Sequence, residues 1–207
     1  KVDPCVLNKT INGQQCTIMV YVDDLLVTCK EQAGLNQVIT QLEETFQGDI
    51  KWSCDKDLSY LGMHLKIEDG RVVISMEAYL DGVLGELDVK GTVTTPATAN
   101  LFNVNSRSPL LSADGTKKFH TVVAKLLYLA KRVRLDILLA IAFLSTRVRS
   151  PTDEDQGKLD RVLKYLNGTR KQVLVMAPTL IMWLEGYIDA SFGCHPDGKS
   201  HTGLVIK

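Results

Sequence analysis

Two adjacent carboxylates, Asp23 and Asp24, stand between two short apolar runs, Thr17 to Val22 (TIMVYV) and Leu25 to Cys29 (LLVTC). The runs predict two β-strands joined by Asp23-Asp24 as a two-residue hairpin turn. Gly or Asn would serve such a turn better, and neighbouring carboxylates repel each other, so turn chemistry alone does not account for the pair. A divalent cation held between them and a third carboxylate removes the repulsion. Hard cations such as Mg²⁺ take oxygen ligands and leave positions for phosphate oxygens. Two such ions can activate a primer hydroxyl and stabilise a leaving pyrophosphate. An acidic surface turn is the ordinary reading of the dipeptide alone. Tyr21-Val22-Asp23-Asp24 between two apolar strands favours the metal site.

Around this hairpin the pattern predicts elements of both kinds. Glu31 to Phe46 carries Leu35, Val38, Ile39, Leu42 and Phe46 on one stripe and reads as a helix packed by that stripe, with Gly48 suited to its end. Leu58 to Ile67 and Arg71 to Met76 read as strands joined around Asp69-Gly70, and Glu77 to Leu87 as a short helix. Thr94 to Asp114, with Pro96 and Pro109, reads as a loop and as the best candidate boundary. Three helices are predicted after it. Lys118 to Lys131 repeats apolar residues at helical spacing, and Asp136 to Thr146 is almost wholly apolar. Pro151 to Leu166 has Ser150 as N-cap, three acidic residues in its first turn and Gly168 to close it. Strands return at Leu180 to Asp189 and Thr202 to Ile206, around the turn residues His195-Pro196-Asp197-Gly198.

Net charge is zero, but the charge is unevenly placed. Lys1 to Gly115 holds 9 Lys+Arg against 16 Asp+Glu, Thr116 to Lys171 holds 13 against 5, and Gln172 to Lys207 holds 2 against 3. A basic helical block of that density is the footprint of a surface facing phosphate, or else a solvated surface with excess charge. Five cysteines, with no CxxC pair, favour reduced thiols in an intracellular protein. No apolar run approaches membrane-spanning length. Cys194, His195 and His201 match no standard zinc spacing. The first residue is not Met and the last two fall inside a strand pattern, which reads as a piece of a longer polyprotein.

The Tyr21-Val22-Asp23-Asp24 hairpin resembles the polymerase motif of reverse transcriptases. Tyr60-Leu61-Gly62-Met63-His64-Leu65 resembles their primer-grip hairpin. Lys125-Leu126-Leu127-Tyr128-Leu129-Ala130 resembles a thumb segment of copia-type LTR retrotransposons. Asp136-Ile137, Leu144-Ser145, Pro151 and the run Arg161 to Thr169 continue the pattern in order. Gly186 to Phe192 with Ser200-His201-Thr202-Gly203 is similar to the opening of an RNase H domain. The resemblance covers nearly the whole chain. Departures are Met76, Ala124, Leu135 and His201, where the family commonly has Gln, Gly, Pro and Ser or Thr. Ala124 bears most on function, because an added methyl can hold a backbone away from a duplex.

The resemblance implies an α+β fold: an antiparallel palm sheet with the hairpin and a packed helix, a helical thumb, then the first strands of an RNase H-like mixed sheet. It places the palm's second half at residues 1–76, a thumb at 77–171 (loop 94–114, basic helices 117–171) and the start of RNase H at 172–207. It implies RNA-directed DNA polymerisation with Mg²⁺ or Mn²⁺, from dNTPs on an RNA or DNA template with primer, within the rest of a Pol polyprotein. Asp23 and Asp24 become metal ligands, and Asp189 the first RNase H carboxylate. Tyr21, Leu61, Gly62, Met63, Lys125 and Tyr128 face nucleic acid. The fingers and the first palm carboxylate are expected outside this sequence, which would leave it inactive alone. The family implies a cytoplasmic particle and the nucleus. A rival reading from a different class is a non-catalytic nucleic-acid-binding remnant of a decayed element.

Overall fold

The computed structural model describes residues 3–47, 50–177, 185–195 and 197–206. Within them the chain is a mixture of antiparallel sheets and five α-helices, in two compact units, Lys1–Lys66 and Ile67–Lys207.

In the first unit, β1 (Val6–Ile11), β2 (Gln14–Tyr21) and β3 (Asp24–Cys29) form an antiparallel sheet in chain order. Helix α1 (Gln32–Thr45) packs on it. The buried centre is small, Ile11, Cys16 and Val38, with Ile18, Val27, Cys29 and Leu42 partly buried around it. Only part of the predicted α1 stripe reaches this centre, and Phe46 is 54% exposed. Gln47 takes the left-handed conformation (φ 55°) that ends the helix; Gly48 lies outside the described residues. Gly34 lets the helix approach the sheet, since a Cβ there would stand 2.6 Å from Cys29 Sγ. Cys16 and Cys29 are register partners with Cα atoms 4.5 Å apart, and their sulfurs are joined as a disulfide. For this pair the expectation of reduced thiols fails, because the hairpin register places the two side chains face to face.

The predicted strand Leu58 to Ile67 is two strands, β4 (Asp57–Tyr60) and β5 (Met63–Glu68), folded back with Tyr60 opposite Met63. Leu61 (φ 50°) and Gly62 (φ 72°) form the turn, the double positive φ of a type I′ hairpin. The apolar pattern alone ran one strand through this turn, whereas the resemblance of Tyr60 to Leu65 to a primer-grip hairpin marked the fold-back at Gly62.

The second unit contains β6 (Arg71–Ser75), paired antiparallel to β7 (Leu174–Met176), and the helices α2 (Glu77–Glu86), α3 (Ala113–Ala130), α4 (Leu138–Ser145) and α5 (Asp153–Gly168). A 3-10 turn, Leu135–Ile137, opens α4. Phe119, Leu126, Ile137, Ile141, Phe143, Leu144, Leu159 and Leu166 are each at most 1% exposed. Burial of each such side chain contributes about 1.5–3 kcal/mol relative to exposure. Helix α3 starts five residues before the predicted point because Ser112 caps it, Oγ accepting from Gly115 N–H at 3.1 Å. Helix α5 is capped by Thr152, not Ser150: Thr152 and Asp155 form a reciprocal capping box.

The stretch expected as a boundary, 94–114, is docked rather than free. Leu101 is buried, Phe102 meets Phe143 edge-on at 5.4 Å, and Asn105 N–H donates to Glu154 at 2.9 Å. The division between the compact units falls at Lys66/Ile67. The chain closes with a two-stranded antiparallel sheet, β8 (Gly186–Ser191) and β9 (His201–Ile206). The predicted start of that strand at Leu180 lies outside the described residues.

Candidate functional site

Register fixes the tip of the β2–β3 hairpin. Tyr21 pairs with Asp24, so the two turn residues are Val22 and Asp23, and Asp24 opens β3. The predicted turn is therefore shifted by one residue. Val22 sits at φ 53° and is 82% exposed. A β-branched residue in the left-handed region costs on the order of 1–3 kcal/mol. Tyr21, Asp23 and Asp24 are exposed. Neither Asp side chain has an ion pair or hydrogen-bond partner among the described residues. The hairpin thus presents hard oxygen donors whose coordination capacity is not taken by the protein. No third His, Cys, Asp or Glu joins them into a metal-binding group among the described residues.

Tyr60, at the end of β4, is the neighbour that sequence reasoning gave no role of its own. Its phenol is pushed above the ordinary tyrosine value first by burial and then by the charge of Asp24. It remains a neutral hydroxyl near that carboxylate. The adjoining turn carries Leu61 and Gly62, with Met63 opening β5, so the first unit holds both predicted hairpins.

The second unit holds the predicted nucleic-acid face. Lys125 and Tyr128 lie on one stripe of α3 with Lys117 and Thr121, spaced at three and four residues, and Arg132 follows in the turn that ends the helix. Tyr128 is only partly buried, so it is not a simple core aromatic. Its ring lies 3.5 Å below the Arg132 guanidinium carbon and 5.4 Å from the Tyr79 ring of α2. Tyr79 Oη donates to the Lys125 carbonyl at 3.1 Å. Burial raises the Tyr79 pKa; Lys125 and Arg132 oppose that shift, while Tyr128 and Glu86 add to it. Lys125 Nζ is held by Glu86 at 2.6 Å. Arg132 and Glu86 are the residues sequence reasoning missed. Arg132 was findable, as a basic residue in the turn four residues after Tyr128; Glu86, on another helix, was not.

Asp189 lies exposed on β8 opposite Gly203, its Oδ1 accepting from Ala190 N–H at 2.9 Å. It joins no metal-binding group among the described residues. His195 and His201 approach at 3.2 Å and pack with Phe102 and Phe143, which makes them part of a ring cluster. Buried charge elsewhere in the unit is structural. Arg134, 2% exposed, forks onto Asp136 at 3.0 and 2.8 Å and donates to the Thr169 carbonyl and hydroxyl. Burial pushes the Asp136 carboxyl up, but hydrogen bonds from Arg134 and Tyr165 outweigh it and hold the pKa below the ordinary value. No helix among the described residues is long and apolar enough to cross a membrane.

Comparison with known proteins finds relatives that align with nearly the whole chain. The chain is 30% identical to an uncharacterised mitochondrial protein of Arabidopsis thaliana over 90% of its own length and 76% of that protein's. It is 29% identical to the retrovirus-related Pol polyprotein from transposon TNT 1-94 of Nicotiana tabacum, over 99% of this chain and 16% of the polyprotein. It is 30% identical to the Pol polyprotein from transposon RE2 of Arabidopsis thaliana, over 91% of this chain and 13% of the polyprotein. No protein-family model matches the chain, and no solved structure matches it. The chain belongs to the Pol polyproteins of copia-type retrotransposons. It spans less than a fifth of the polyproteins just described.

Proposed function

We propose that this chain is the second half of the palm, the thumb and the beginning of the RNase H domain of a retrotransposon RNA-directed DNA polymerase. One observation carries the reading. In a chain of this family, Asp23 and Asp24 stand exposed at the tip of an antiparallel hairpin, without hydrogen-bond or ion-pair partners among the described residues. Their oxygen donors fit Mg²⁺ or Mn²⁺. Bound there, the cations supply activation of the primer hydroxyl and charge stabilisation at the phosphates. Asp23 acts as the principal ligand and Asp24 as the second carboxylate. Tyr21 and the turn residue Val22 set their position. Leu61, Gly62 and Met63 face the primer, and Lys125 with Tyr128 faces the duplex backbone. Asp189 supplies one carboxylate to a second, RNase H centre. The rest of the polyprotein supplies the nucleotide pocket and a third palm carboxylate, and dNTPs and a primed RNA or DNA template are the substrates.

The metal assignment is tested on this chain by Mn²⁺ titration followed by NMR. Paramagnetic broadening should concentrate on Tyr21 to Leu25 and vanish in Asp23→Asn. Broadening centred elsewhere, or unchanged in the variant, would refute it.

A further inference from the structure

The stripe on α3 is not uniformly available to phosphate. Lys125 is two-thirds buried, and its ammonium is held at 2.6 Å by Glu86, whose own side chain is 63% exposed. Arg132 makes no ion pair among the described residues. Its guanidinium lies over the Tyr128 ring, and Nη1 is spent on the Tyr128 carbonyl at 3.3 Å. Stacking and that single bond fix the plane of the fork while leaving its other donors open, the geometry that suits bidentate phosphate contact.

We propose that Glu86 is an internal counter-ion that occupies Lys125 in the free chain and yields it to a nucleic-acid phosphate, and that Arg132, set on Tyr128, is the standing phosphate contact of this face. The proposal rests on the thumb reading above and adds the two residues that regulate and anchor it. An exposed carboxylate holds a lysine only weakly in water and is screened by salt. A duplex presents a dense row of phosphates, and neutralising each releases condensed counterions. Duplex binding therefore competes with Glu86 for Lys125, and affinity is lowered by that competition. Arg132 meets no such competitor among the described residues. Its aromatic support also separates it from an exposed lysine such as Lys131, which lies over no ring among the described residues.

The test is a salt titration of fluorescent DNA-duplex binding to the full 207-residue chain and its variants. Glu86→Gln should tighten binding several-fold, because Lys125 no longer has to leave a carboxylate before it meets the phosphate. The gain should disappear when Lys125→Gln is also present, and Asp114→Asn, the same charge change at the start of α3, should not reproduce it. Arg132→Gln should weaken binding about tenfold and make the slope shallower by roughly 0.9. Arg132→Lys should recover the slope more than the affinity, because lysine keeps the charge but not the planar fork. A Glu86→Gln gain that persists without Lys125, or that Asp114→Asn matches, would show a general charge effect and overturn the counter-ion. An unchanged Arg132→Gln would overturn the anchor. Salt-independent binding by the unaltered chain would instead refute the duplex-facing thumb itself, a failure distinguishable from either.

Discussion

In the first unit Asp23 and Asp24 stand exposed, without hydrogen-bond or ion-pair partners among the described residues, at the tip of a hairpin whose turn holds Val22 at φ 53°, in a unit with a centre of three buried residues. In the second unit Arg134 and Asp155 are buried, but each is matched, Arg134 by Asp136 and Thr169, Asp155 by Arg147 and Thr152. The contrast separates charge left open to solvent from charge that holds a fold. A buried ion that is fully hydrogen-bonded has its coordination filled from within. A carboxylate pair left open at a strained hairpin tip costs stability and contributes none locally.

Substitutions can break or sharpen this contrast. The largest effect should come from Asp136→Asn. It strips the counter-charge from an almost fully buried Arg134 and should cost about 3–5 kcal/mol, read as a shift in the second unit's denaturant midpoint. The same pair fixes an acid limit. Because the folded Asp136 pKa lies below its ordinary 3.8, its contribution is present above about pH 4 and is lost as pH falls through the folded value. An acid titration of stability should show that loss in the parent and not in Asp136→Asn. Val38→Ala should cost about 2 kcal/mol in the first unit, from two buried methyl groups and the space they leave. Hydrogen exchange should place that loss in α1 and the β1–β3 sheet. Thr152→Ala should cost about 1 kcal/mol through the α5 cap. The smallest change should have the opposite sign. Val22→Gly should stabilise the first unit by about 1 kcal/mol as the turn relaxes, and a destabilised variant would mean that the turn stores no strain.

Much of this was legible in the sequence because it is local. The α1 and α2 spans follow apolar spacing, and the strand–turn–strand around Asp23 follows the two apolar runs. The hairpin register was misjudged by one residue because Val22 prolongs an apolar run and nothing in its type signals a left-handed turn. β1 was not anticipated, although Asn12-Gly13 (φ 50° and 77°) is a strong short-range hairpin signal. The α5 start was also readable, since Thr152 and Asp155 stand at capping-box spacing and Ser150 has no such partner. What pattern could not supply were long-range pairs: Lys125 with Glu86 across 39 residues, Arg134 with Thr169 across 35, and the Cys16–Cys29 bond, which depends on the register itself. For the candidate site, residue type and spacing indicated the carboxylates, whereas their lack of protein partners and the neighbouring Tyr60 emerged only from the fold.

The most direct measurement is primer extension by a polyprotein-length enzyme containing this chain, comparing the parent with Asp23→Asn in Mg²⁺ on the same primed template. The substitution preserves size and removes the ligand charge. Extension should be nearly abolished while duplex affinity, measured in parallel, stays within about twofold of the parent. Extension at the parental rate would contradict the assignment of Asp23 as a metal ligand and, with it, the polymerase reading of the hairpin.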